Sequence, residues 1–225
     1  MKTGRYQFDL LYRHSNELAL DTRRTFKKEV VTVKASFGFL AQHLDRLERQ
    51  PKSHVRNVRM ALTARFTNHL FAHVLLAERG LLLDAANAAR SATETLAFYW
   101  LVCNDDSAAG LYDAQESPRP VDIRKRLEAL GIDVNELRAH YGYESAVSHV
   151  GNKYDNLQIS WEKERTGKLH IGGGGDPNVR RAMLDGLPRY IAMFAMHDPD
   201  YVVTIGDGQV SVTEKDSPEA APVEL

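Results

Sequence analysis

A chain of 225 residues can bury a substantial core as one domain, or as one domain with a small appendage. Its 29 basic and 30 acidic side chains leave a formal charge of -1, so no global field draws it to nucleic acid or to a membrane. A single cysteine, Cys103, excludes a disulfide framework and a cysteine-rich zinc site; no segment approaches the roughly 18 apolar residues of a membrane span, nor does the N-terminus read as a signal peptide, so a cytoplasmic location is expected.

Residues 1 to 20 read as an irregular or short helical lead-in, tacked onto the body by Phe8, Leu10, Leu11 and Tyr12. Asp21 or Thr22 caps the helix that follows. There Phe26, Val30, Val33, Phe37, Leu40, Leu44 and Leu47 recur at alternating spacings of 4 and 3, which predicts a long helix packed along its whole length. The stripe is long enough to serve a second subunit as well as an internal partner, so a homodimer is expected. Gln50-Pro51 ends this helix. Between Arg23 and Arg59 lie ten basic residues against only Glu29, Asp45 and Glu48, a region that either attracts a polyanion or forms a solvated helical surface.

A second helix starts at Ser53 or His54 and runs to about Arg79, with Gly80 as its stop. Asp84 then caps the helix around which the chain is organised, Asp84 to Cys103. Ala85, Ala89, Ala92, Leu96, Tyr99 and Cys103 form one face of it, Ala86, Ala97 and Leu101 the other, so it should be surrounded on most sides. After it come a short helix near Ala108 to Gln115 and another from Asp122 to Leu130, stopped by Gly131. A third runs from Asp133, with Glu136 completing a capping box, to about Val150, and Gly142 is a possible kink. Leu157 to Trp161 and Lys168 to Ile171 read as a small hairpin. Asp176 and Pro177 open a final long helix to about Met196. Tyr201 to Ile205 and Gln209 to Thr213 flank the hairpin turn Gly206-Asp207-Gly208. The expectation is an all-α, up-down helical bundle with small C-terminal β-hairpin additions. Residues 1–156 form its core, 157–213 the hairpins and final helix on the same domain, and 214–225 a disordered acidic tail.

Four sets of residues carry possible chemistry. Arg90 and Glu94, one turn apart, interrupt the second face of the central helix; Glu94 can act as a base or Arg90 as an anion clamp, or the two fix helix register. His69 and His73 share the apolar face of the preceding helix and can chelate a metal, but HLFAH lacks the glutamate of the HExxH pattern and two ligands alone make a weak site, so polar core histidines are the preferred reading. Ser145 and His149 lie one turn apart in YGYESAVSHVGNKYDN, among Tyr141, Asn152, Lys153 and Tyr154, a neighbourhood suited to acid–base work on a phosphodiester or to anion binding. The glycine run Gly172 to Gly175 precedes a helix but lacks the GK[ST] end of a phosphate loop, and no cofactor is expected.

Two of these stretches, ARSATETLAFYW and the later SHVGNKY, resemble uncharacterised bacterial helical proteins related to the HEPN and abortive-infection group. The resemblance covers about a third of the chain. It implies a helical bundle, often dimeric, and in nuclease members metal-independent RNA cleavage by an arginine and a histidine close together on one helix. The histidine maps to His149. The arginine expected four to six residues before it is absent, since Tyr143, Glu144 and Ser145 occupy those positions; Arg90 of the neighbouring helix is the candidate replacement. Three functions therefore stand: first, and favoured by the balanced charge, a non-catalytic helical protein that binds an RNA or protein partner; second, an endoribonuclease using His149 with Arg90; and last, a metal-dependent hydrolase built on His69, His73 and Glu94.

Overall fold

Hydrophobic periodicity sets where the helices lie. In the computed structural model, which describes residues 8–114, 118–148, 159–161, 167–169, 176–206, 209–215 and 223–224, they are α1 (Phe8–Thr25), α2 (Lys27–Arg49), α3 (His54–Glu78), α4 (Leu82–Asn104), α5 (Pro120–Ala129), α6 (Asn135–Ser148), α7 (Pro177–Asp185) and α8 (Leu187–Met196). Two small antiparallel sheets accompany them: β1 (Ile159–Trp161) with β2 (Gly167–Leu169), and β3 (Tyr201–Gly206) with β4 (Gln209–Glu214) and β5 (Val223–Glu224). This is a predominantly helical bundle with small C-terminal strands, as the sequence pattern requires. Among the described residues no helix is long and apolar enough to cross a membrane.

The alanine-rich α4 is the centre. It packs along α3 on one side and against α5 and α6 on others. Ala85, Ala92, Leu96, Tyr99, Leu101 and Val102 are fully enclosed, because small side chains on several faces let neighbouring helices approach from several directions. Phe194 of α8 stacks on Tyr99, with ring centroids 4.4 Å apart, and on Phe66 of α3 at 5.2 Å. Trp100 donates its indole N–H to the Met193 carbonyl at 2.9 Å, so even the polar tip of the largest core side chain is satisfied.

Several local expectations change. The lead-in is a full helix, α1, whose Leu10 and Tyr12 are exposed; Ala19 and Thr22 fix it to the body instead. Phe26 separates α1 from α2, with the non-helical torsions φ -106° and ψ 54°. The cap of α4 is Leu81 with no side-chain bond, and Asp84 lies in the first turn, because burial of Leu82 draws the helix start back. The Ala108 to Gln115 helix is a 3-10 turn over Asp106–Leu111, capped by Asp105 onto the Ser107 N–H. Glu136 does not close a capping box; it pairs with Arg189 of α8 at 3.3 Å, while Asp133 accepts from the Asn135 N–H. Gly142 lies within one continuous helix.

The final long helix is two helices. Pro188 has no N–H to donate and its ring crowds the preceding turn, so α7 stops at Asp185 and α8 restarts beyond Gly186. In the acidic tail expected to be disordered, Val223 and Glu224 pair with Val212 and Ser211 as β5. Three signals hold: Ser53 caps α3 through the Arg56 N–H, and Gly80 and Gly131, at φ 69° and 77°, follow the ends of α3 and α5. Leu157, Ile171, the Gly172 to Gly175 run, and Asp207 and Gly208 of the hairpin turn lie outside the described residues.

Candidate functional site: an arginine-ringed cleft beside a buried polar network

Arg90 and Glu94 lie on α4 where it meets α6 and the start of α5. Arg90 Nε donates to Glu94 Oε1 at 3.2 Å, and one terminal nitrogen of Arg90 donates to the Tyr141 hydroxyl at 2.8 Å. The Tyr141 ring carries the Arg90 guanidinium at 4.9 Å and that of Arg124 at 4.7 Å, two cations gathered on one aromatic side chain. Three of the sequence candidates are thus brought together. They are not buried, however: the side chains of Arg90 and Glu94 keep 28% and 33% exposure, so the pair does not bear the cost of an enclosed charge. Ser145 lies one turn beyond Tyr141 on α6. His149, Asn152, Lys153 and Tyr154 lie outside the described residues.

Glu94 opens onto a cleft of about 600 Å³ between α3, α4, the 3-10 turn and the start of α5. Leu62, Phe98, Leu111, Tyr112, Pro118, Pro120 and Ile123 give it apolar walls, and Arg65, Ser91, Thr95 and Arg119 supply polar groups. Arg119 is held by Asp122 at 2.7 Å. Among the described residues Arg65 has no carboxylate within ion-pair distance; its Nε reaches His69 Nε2 at 3.5 Å. Burial, then Arg65, push the His69 pKa down against a smaller opposing pull from Glu94. The chelating pair suggested for His69 and His73 does not form. His73 is buried with Nδ1 2.9 Å from the Ala85 carbonyl and Nε2 3.2 Å from that of Met183, so each ring nitrogen faces a backbone carbonyl, to one of which the neutral ring donates. Among the described residues no three His, Cys, Asp or Glu side chains gather as a metal site would need.

A buried cluster that the sequence reading missed joins α2, α3 and α4 to the segment after α8, and it too is a candidate catalytic or binding site. His43 of α2 and Tyr99 of α4 join Asp198, which follows α8, and none of the three side chains reaches solvent. Tyr99 donates a short hydrogen bond to Asp198, which also accepts from Arg59 at 3.0 Å and from the Asp200 N–H at 2.9 Å. With the Tyr99 proton committed to the carboxylate, its oxygen must accept from His43 Nε2 at 2.9 Å. His43 Nδ1 then accepts from the Tyr201 hydroxyl, also at 2.9 Å. The tautomer and the direction of the whole chain, Tyr201 to His43 to Tyr99 to Asp198, follow from donor counting. Asp200 completes the group, bonding Arg59 at 3.2 Å and Gln50 at 3.3 Å.

Burial, opposed by Asp198 and reinforced by Arg59, lowers the His43 pKa to about 4. Burial raises the Tyr99 hydroxyl well above its usual range, with Cys103 and Asp198 adding to it; burial also raises Tyr201, and lifts the Cys103 thiol to about 12. For Arg59, burial works downward but is outweighed by Tyr99, Cys103 and Asp198, so the net shift is upward. These groups hold their protonation at neutral pH, which suits a rigid tie between the bundle and the C-terminal strands. A pH dependence follows. The folded ring binds a proton near 4 and the unfolded ring near 6.5, so between these values the unfolded chain holds more protons. His43 should therefore cost the fold about 3 kcal/mol as pH falls from 6.5 to 4. Urea midpoints across that range should fall more steeply for the wild type than for His43→Gln; parallel curves would contradict the assignment.

The signal for this cluster was present but partial. Ser36, Leu40, His43 and Leu47 share one buried face of α2, which marks His43 as a core residue without naming its partners. A second buried cation, Arg180 of α7, donates to the Thr22 hydroxyl at 2.6 Å, and Thr22 donates on to the Glu78 carbonyl. Of the ten basic residues between Arg23 and Arg59, four are consumed internally: Arg23 by Glu78, Arg46 by Asp200, Arg56 by the α2 C-terminus and Arg59 by Asp198. That removes much of the charge a polyanion would meet on those helices. Comparison with protein-family models, characterised proteins and solved structures finds no match to this chain.

Proposed function

We propose that the protein acts on RNA in the cleft beside Glu94, as an endoribonuclease of the HEPN-like kind. The observation that carries this reading is the gathering of arginine around an open, partly apolar cleft. Arg65 and Arg119 line it, Arg90 bonds the lining Glu94, and Arg124 shares the Tyr141 ring with Arg90. Guanidinium groups suit phosphate because their planar donors match its oxygens. In this reading the ribose 2′-hydroxyl attacks the neighbouring phosphorus and gives up its proton to a base. The 5′-oxygen leaves with a proton from an acid, which yields a cyclic phosphate and a 5′-hydroxyl. His149, next in sequence after the last residue of α6, carries the acid–base role, and Arg90 meets the negative charge that builds on the phosphoryl oxygens.

The test is cleavage of labelled single-stranded RNA by the purified chain and by His149→Ala. New cyclic-phosphate ends made only by the wild type support the reading. Retention of RNA without new ends would leave a binding protein, the first function the sequence allows.

The same proposal includes a homodimer. Val33, Leu40 and Leu47 of the long α2 stripe are buried within the bundle, but Phe26, Val30 and Phe37 are only half-covered. Phe37 meets Phe71 edge-on at 5.8 Å, and Phe71 of α3 and Val31 of α2 keep 51% and 66% exposure. A second copy covering this face would bury apolar area that is otherwise wet. Light scattering should give twice the chain mass at micromolar concentration; a monomer mass there would contradict it.

A further inference from the structure

The cleft has two chemically different walls, and their arrangement bears on what kind of RNA enters. On the apolar side Tyr112, 40% exposed, stands at the edge with its ring 6.3 Å from that of Phe98 and tilted 38° to it. Phe98 is enclosed behind it, and Pro118 and Pro120 continue the wall. On the polar side the exposed Arg65 projects from α3 with no carboxylate partner among the described residues, whereas the charge of Arg119 is committed to Asp122. The two walls therefore offer a flat aromatic surface and one available guanidinium across a space of about 600 Å³. That volume falls in the roughly 300–1,000 Å³ range of pockets that enclose one small ligand.

We infer that the cleft selects single-stranded RNA by seating one unstacked base against Tyr112, with a neighbouring phosphate on Arg65. The inference rests on the RNA reading above and deepens it. A paired A-form helix keeps its bases stacked inside and presents only backbone and a shallow groove, so it has nothing to place on the Tyr112 ring. A single strand can splay one base out at little cost, and an aromatic face accepts any base because every base has a π-face. Preference for strandedness without strong preference for sequence is the consequence.

The experiment is fluorescence polarisation with a labelled 12-nucleotide RNA as a single strand and as a blunt duplex, read on wild type, Tyr112→Ala, Tyr112→Phe and Arg65→Ala. To separate binding from cleavage, each is made in the His149→Ala background. Wild-type cleft residues should favour the single strand. Tyr112→Ala should weaken that binding roughly ten- to hundredfold while Tyr112→Phe retains it, since stacking needs the ring and not the hydroxyl. Arg65→Ala should lower the slope of log affinity against log salt by about one phosphate contact. Melting temperatures of the variants, both surface changes, should stay with the parent. Equal affinity for strand and duplex, or single-strand binding untouched by Tyr112→Ala, would overturn the inference and leave the RNA reading in place. Binding of neither RNA would overturn both.

Discussion

Asp198→Ala should lower the melting temperature by about 6–20 °C. The carboxylate is fully enclosed and takes hydrogen bonds from Tyr99, from Arg59 and from the Asp200 N–H. Its loss leaves Asp200 as the only carboxylate on the Arg59 cation among the described residues, and the Tyr99 hydroxyl with no acceptor for its proton. Breaking a buried ion pair from one side costs about 3–5 kcal/mol, and each kcal/mol moves the midpoint of a domain this size by about 2–4 °C. The effect should also be non-additive. Once Asp198 is gone, Arg59→Met should cost much less than it does in the wild type, or even restore stability, because the stranded charge is what destabilises. Additive losses would show that the two residues act separately. Thermal denaturation of the two single variants and the double variant measures this directly.

Arg90→Ala should behave in the opposite way, with little effect on the fold and a large one on activity. With its pair about one-third exposed, loss of Arg90 should change stability by about 1 kcal/mol or less. Loss of a group that meets charge building on the reacting phosphate costs about 10²–10³-fold in rate. A parent-like melting curve with cleavage reduced by that factor is the expected result. An equal fall in stability and activity would instead make Arg90 a structural tie to Tyr141.

The contrast between these two arginines shows how far the sequence could be read. Arg90 was visible because it interrupts an apolar helix face one turn from Glu94, a local pattern. Its true exposure was not visible, since that depends on where α5 and α6 end. Arg59 was hidden in a run of basic residues, and its partner Asp198 lies 139 residues away in a stretch that reads as a loop. Periodicity reports which side of a helix is buried; it carries no information about which distant polar group meets it there. Helix ends were legible wherever backbone chemistry decides them, as at Pro51, Gly80 and Gly131. The break at Gly186 has the same origin in Pro188 and was readable from it, although the expected single helix ran through that proline. Two-residue β5 is held by pairing with β4, and a segment held by its neighbour leaves no pattern of its own.

The central claim, that this protein cleaves RNA with His149, is tested most directly by mapping the ends formed on a 5′-labelled single-stranded RNA. Wild type, Arg90→Ala and His149→Ala are compared at equal concentration, after melting curves have shown all three folded. The account predicts fragments ending in cyclic phosphate for the wild type, a strongly reduced yield for Arg90→Ala, and none for His149→Ala. Fragments formed equally by His149→Ala, or no cleavage by the wild type, would contradict it.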